Sequence, residues 1–168
     1  MKHLAALAIA LLTPLFGWAQ YDSYTAFASG TAPSYEGLWW NSSESGWGVS
    51  IAHQGDTLFA VWYTYDPRTP DPSAPGSFKP LWIVMAGGTW TTPTSITGPV
   101  YVTNGQPFNQ TGSNTQLTSV GTFTFTFSSA QAGTFAYNIA APAGLAASDP
   151  AFGLPSMSGT KSIQRQSF

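Results

Sequence analysis

The sequence predicts an all-β domain, an antiparallel meander of about eight strands that closes into a small up-and-down barrel or, alternatively, folds into a two-sheet β-sandwich. Three observations carry this expectation. From Tyr35 onward, short aromatic and β-branched runs alternate with Gly, Asn, Asp and Ser, the pattern of strands joined by hairpins. Thr122 to Phe127 alternates strictly, with Phe123, Phe125 and Phe127 on one face and threonines on the other, so a buried phenylalanine face backs a solvated threonine face. No stretch of the domain reads as a helix.

The first strand is expected over Tyr35 to Asn41, followed by a polar turn through Ser42 to Gly46. Trp47 to His53 follows, with Trp47, Val49, Ile51 and His53 on one face and Gly48, Ser50 and Ala52 on the other. After the turn Gln54-Gly55-Asp56, Leu58 to Tyr65 is so apolar that both its faces are expected to be covered. Pro67, Pro70, Pro72, Pro75 and Pro80 make 66–80 a stiff, irregular insertion, whose return strand is Leu81 to Ala86. Gly87-Gly88 breaks the ladder, and Ile96 to Thr103 is a weaker strand interrupted by Pro99. A Gly/Asn/Gln-rich connection leads from Asn104 to Gln116. Thr122 to Phe127 then pairs with Thr134 to Ala140, and a small-residue insertion at 141–157 precedes a last strand, Gly159 to Gln166. Consecutive pairing leaves two exposed edges unless the sheet closes or folds over. A closed barrel has a mouth ringed by hairpin loops, a usual place for a ligand.

Before the domain, Lys2 and His3 precede an apolar run, Leu4 to Phe16, and Gly17-Trp18-Ala19 supplies small residues for cleavage before Gln20. The run falls short of the roughly 20 residues that span a bilayer. Residues 1–19 therefore read as a signal peptide, 20–34 as an irregular leader and 35–168 as a single β domain. The expected location is outside the cytoplasm, periplasmic or extracellular, in a Gram-negative bacterium. No later stretch is long or apolar enough for a transmembrane helix. Only 7% of residues are charged, against about a quarter in ordinary soluble domains. Arg68, Lys79, Lys161 and Arg165 are too scattered to displace the counterions of a polyanion, which excludes nucleic acid as a partner. The same low charge weakens the repulsion that keeps proteins apart, so self-association is open. There are no cysteines, which removes thiolate chemistry and thiolate metal sites.

Three groups of residues could carry chemistry. Gly37 to Gly48 is dense in tryptophan around Glu44; Trp39, Trp40 or Trp47 could stack on a flat ligand or sugar ring, or fill a core. His53 and Asp56 flank a tight turn and, with Ser45 or Ser50 as nucleophile, would suit a hydrolase, although no nucleophile-elbow motif is present. One histidine with dispersed carboxylates is a poor zinc set and matches no calcium loop, so no metal and no cofactor are expected. Lys161 and Arg165, four apart on the last strand, read as solvated charges on an edge, or as partners for Glu36 or Asp66 across the sheet. No catalytic residue is assigned. The candidate binding residues are Trp40, Glu44, Trp47, His53, Trp62 and Tyr63.

Gly37-Leu-Trp-Trp-Asn41, Glu44-Ser-Gly-Trp-Gly48, His53-Gln-Gly-Asp-Thr57, Phe59 to Asp66, Leu81 to Gly88 and Gly159 to Arg165 together resemble an uncharacterised β module of exported proteobacterial proteins. That resemblance implies an architecture and a compartment, and no catalytic residue. Gly37, Trp39 or Trp40, and Asn41 are also similar to the opening strand of avidin-type barrels, without the remaining ligand-contact pattern. The leading expectation is a non-enzymatic module that binds a small molecule, glycan or protein through aromatic side chains. A structural or surface-assembly role comes second, and a hydrolase using His53 and Asp56 third.

Overall fold

The computed structural model describes residues 33–70, 73, 76–110, 112 and 115–168. The expected signal segment, and the expected leader up to residue 32, lie outside them. The strands are β1 (Gly37–Trp40), β2 (Gly48–Gln54), β3 (Thr57–Pro70), β4 (Phe78–Met85), β5 (Thr89–Thr92), β6 (Ser95–Asn104), β7 (Gln116–Phe127), β8 (Ala132–Ile139) and β9 (Met157–Arg165). They pair antiparallel in the order β4-β3-β2-β1-β9-β8-β7-β6-β5. One further pairing, with Ile83 opposite Val102 and Met85 opposite Val100, joins β4 to β6. It closes eight strands into a barrel and leaves β5 outside the ring. The architecture is the barrel, not the sandwich.

Period-two alternation decides what fills it. Phe123, Phe125 and Phe127 of β7 point inward and are buried, while the intervening threonines face out. Phe135 of β8 is the hub of the interior. Its ring lies 4.9 Å from Phe123, 5.1 Å from Phe125 and 5.5 Å from Trp62, and Trp47 and Tyr137 also touch it. Edge-to-face and offset contacts of this kind add to the area the rings bury.

Ring curvature comes from an irregularity the sequence pattern did not announce. Val100 pairs with Gly121 but Tyr101 with Ser119, so β7 carries an extra residue there, a bulge that sharpens the bend. Gly121 has φ +141, and a Cβ on it would collide with the Asn138 carbonyl oxygen. Only glycine fits.

Both ends of the barrel are stoppered. At the end bearing the β2–β3 turn, Tyr35 lies across the opening, stacked on Phe127 at 3.8 Å, with its carbonyl accepting from Trp39 Nε1 at 2.9 Å. At the opposite end, the 140–156 connection drops Ala151 and Leu154 into the core. Asp149 anchors it by accepting from the Thr118 hydroxyl at 2.8 Å and from the Ala151 N–H at 2.8 Å. The expected small-residue insertion is thus a lid, and the open mouth expected for a ligand is filled.

Several local expectations are corrected. The insertion expected over 66–80 is shorter, because β3 runs on to Pro70 and β4 begins at Phe78. Pro67 and Pro70 are accommodated where the pairing between Tyr65 and Pro70 is already irregular. Pro99 does not interrupt β6, since it sits beside the register break between Met85–Val100 and Thr89–Thr97. Strand β5 had no sequence forecast. β3 is not covered on both faces: Phe59, Tyr63 and Tyr65 are 41%, 40% and 54% exposed, because a single-walled barrel covers only its inner surface.

Replacing Phe135 with alanine is expected to cost about 3–5 kcal/mol in denaturant unfolding. Thr134→Ala, one residue away on the outer face, is expected to stay within about 0.5 kcal/mol. Similar losses for the two would contradict the inside–outside assignment of β8.

Candidate functional site

Alternation along β1, β2 and β3 sorts the six candidate binding residues into separate places. Trp62 points inward and is 7% exposed, wedged against Phe123, Phe135 and Tyr137. Its indole N–H is buried with no acceptor among the described residues. His53 also points inward, at the end closed by Tyr35. Its Nδ1 accepts from the Tyr35 N–H at 3.3 Å and its ring stacks on Tyr35 at 5.6 Å. Burial pushes the Tyr35 phenol above its ordinary value.

Asp56 takes part in that cap through its backbone, the carbonyl accepting from Trp90 Nε1 at 2.9 Å. Ser50 occupies the face of β2 opposite to His53, and Ser45 lies in the β1–β2 turn at the other end of the barrel. The structure therefore brings neither serine to His53. Among the described residues, no three His, Cys, Asp or Glu side chains gather as a metal set.

Glu44 and Trp47 come together in the β1–β2 turn. The Glu44 carboxylate accepts from Trp47 Nε1 at 3.1 Å and from Lys161 Nζ at 2.9 Å. The Lys161 hydrogen bond is the main influence on this carboxyl and holds it below its ordinary value, and Glu44 in turn raises the ammonium. Both groups are about a third exposed, so the pair pins the turn more than it stabilises the fold. Lys161 is not a solvated edge charge: β9 lies between β8 and β1, which leaves it no free edge. Arg165 meets neither Glu36 nor Asp66; it covers Gly37, and its Nη1 donates to the Ser34 carbonyl at 3.5 Å. Asp66 pairs instead with Arg68 at 2.7 Å.

Trp40 and Tyr63 face outward and do share a site. Gly48 stands between them, since Trp39 pairs with Val49 and Gly48 with Tyr63. Tyr63 pairs in turn with Trp82 of β4, edge to face at 5.9 Å and 81°. One row across four strands therefore reads Trp40–Gly48–Tyr63–Trp82. The missing side chain of Gly48 leaves a groove of about 540 Å³ between Trp40 and Tyr63, edged by Leu38. On its other side, Trp40 walls a second groove of about 580 Å³, lined by Asn41, Thr126, Thr134, Ser162 and Gln164 and floored by Ala132 and Gly133. Among the described residues, no charged side chain lines either groove.

Trp82, 61% exposed, is the residue that sequence reasoning passed over. Its signal was present in the period-two pattern of β4, but its meeting with Tyr63 depends on the β3–β4 register. The hydroxyl and amide lining of the second groove comes from β7, β8, β9 and the β1–β2 turn, segments far apart in the chain. No protein-family model matches the chain, and no curated protein and no solved structure matches it.

Arg68 ties the lid to β3, with Nη1 donating to the carbonyls of Pro150 at 2.7 Å and Phe152 at 3.0 Å. Burial is the largest single influence on the Asp66 carboxyl and pushes it up. The hydrogen bonds and charge of Arg68 together outweigh burial and hold it below its ordinary value. The folded carboxyl thus binds its proton more weakly than the unfolded one, and the stabilisation is complete above the unfolded value and fades as pH falls through the folded one. Acidification below about pH 4 is expected to lower the melting midpoint of the native protein more than that of Asp66→Asn. Equal acid dependence in thermal melts would show that the pair contributes nothing.

Proposed function

We propose that the protein is an exported, non-enzymatic binding module that holds its partner against the outer wall of the barrel, through Trp40, Tyr63 and Trp82. The observation that carries this reading is the outward aromatic row, with Trp40 half-buried on β1 and Tyr63 and Trp82 exposed on β3 and β4. Large aromatics on a solvated face cost solubility and are usually retained for contact with a partner. The interior offers no comparable place, since Phe135 and its neighbours fill it and both ends are stoppered. Of the six residues singled out by sequence, Trp40 and Tyr63 belong to the contact surface. Glu44 and Trp47 shape the turn beside it, while Trp62 and His53 serve the core and its cap. Export rests on the N-terminal sequence, the low charge and the likeness to exported β modules.

A second reading has one feature in its favour. With few charges to repel another copy, the same aromatic face suits self-association in a surface assembly. Tryptophan fluorescence of the purified protein separates the two. Acrylamide is expected to quench Trp82 readily, with Trp82→Phe losing most of the quenchable signal, and a bound partner is expected to protect it. Quenching that declines with protein concentration, alongside a rise in sedimentation rate, would favour self-association. A Trp82 already shielded in the dilute monomer would remove the contact surface altogether.

A further inference from the structure

Resting on the reading of the outer wall as a binding surface, we infer that its ligand is an uncharged glycan chain, laid over Trp40 from the hydroxyl-lined groove toward Tyr63 and Trp82.

The two grooves flanking Trp40 differ in chemistry. On the β9–β8–β7 side, the lining is neutral and rich in hydrogen-bonding groups: Asn41, Thr126, Thr134, Ser162 and Gln164. These groups both donate and accept without carrying charge, which suits a ligand that itself presents many hydroxyls. Ala132 faces outward and is small, so the wall dips and a ring can approach the polar groups on either side. On the β2–β3 side, the groove is aromatic and apolar, with Gly48 as floor and Trp40 and Tyr63 as walls. A pyranose has both characters at once, an apolar C–H face that stacks on an indole and equatorial hydroxyls that hydrogen-bond at its rim.

Spacing favours a chain over a single ring. Trp40 and Tyr63 are two strands apart, about 10 Å at the usual separation of paired strands, which is about the length of a disaccharide. Trp82 extends the platform one strand further. Both grooves are shallow and share Trp40 as a wall, whereas a small apolar molecule would be better served by an enclosed pocket.

The absence of lining charge excludes the obvious competitors. An anionic polysaccharide or a phosphorylated headgroup calls for Arg or Lys, and a cationic peptide calls for Asp or Glu. Among the described residues, neither groove has any of these. Glu44 and Lys161 are nearby but neutralise each other at 2.9 Å.

Native affinity electrophoresis tests the inference, with the purified full chain run through gels that contain soluble neutral polysaccharides (a β-glucan, a xylan, a mannan or hydroxyethyl-chitin) or anionic ones (alginate, polygalacturonate). At least one neutral polymer is expected to retard the protein, unchanged by added salt. Trp40→Ala is expected to weaken retardation about tenfold, and Gln164→Leu or Thr134→Val severalfold, in variants whose melting midpoints stay native. Retardation by the anionic polymers alone, or retardation that survives Trp40→Ala, would overturn the assignment. If no polysaccharide retards the protein, the glycan assignment falls. In that case, acrylamide quenching of Trp82 still tells whether the surface is open to another partner or is no binding surface at all.

Discussion

Closing eight strands into a ring sets a volume that side chains must fill, and Phe135 stands at its centre. A small barrel has no second layer to borrow from, so every inward position contributes to one continuous core. Phe123, Phe125, Trp62, Trp47 and Tyr137 all touch the Phe135 ring, which links β8 to the β1–β2 turn, β3 and β7 through the interior rather than around the wall. The wall closes only because β4 reaches β6, past the β5 excursion, and because β7 bends at Gly121. Without disulfides, this aromatic interior and its hydrogen-bonded wall carry the fold.

A filled interior has a consequence at each end and another outside. The rings nearest the ends would be wetted if the openings were left bare, so Tyr35 covers Phe127 at one end, and Ala151 and Leu154 plug the other. His53 and Arg68, two of the few groups able to ionise, are occupied in holding those covers in place, while Glu44 is occupied in the β1–β2 turn.

The outer wall is unlike from one side to the other. Around β1 to β4 it shows Leu38, Phe59, Tyr63, Tyr65 and Trp82 to solvent. Around β6 to β9 it shows hydroxyls that also bond one another across strands, Thr97 to Thr124 at 2.8 Å and Ser95 to Thr126 at 2.9 Å. Trp40 stands on the seam.

The sequence by itself determined the class of fold, the order of most strands and the inward set of β7, because a period of two is a local property that each strand declares alone. Phe123, Phe125 and Phe127 needed no neighbour to announce their face. Trp40, Trp62 and Trp82 show where that legibility stops. Each lies in an apolar run, yet one is on a seam, one is core and one is bare, and which is which depends on the registers of β1, β3 and β4 and on what lies behind each wall. The likeness of Leu58 to Tyr65 to a fully covered strand misled for the same reason: apolar residues on both faces say nothing of whether a second layer exists. Tertiary structure alone decided that the sheet closes, that the 140–156 connection and Tyr35 stopper it, and that Trp40 separates an aromatic groove from a hydroxyl one. These are long-range pairings, in which β1 meets β9 and Lys161 meets Glu44 across most of the chain, and no local pattern encodes a partner so distant.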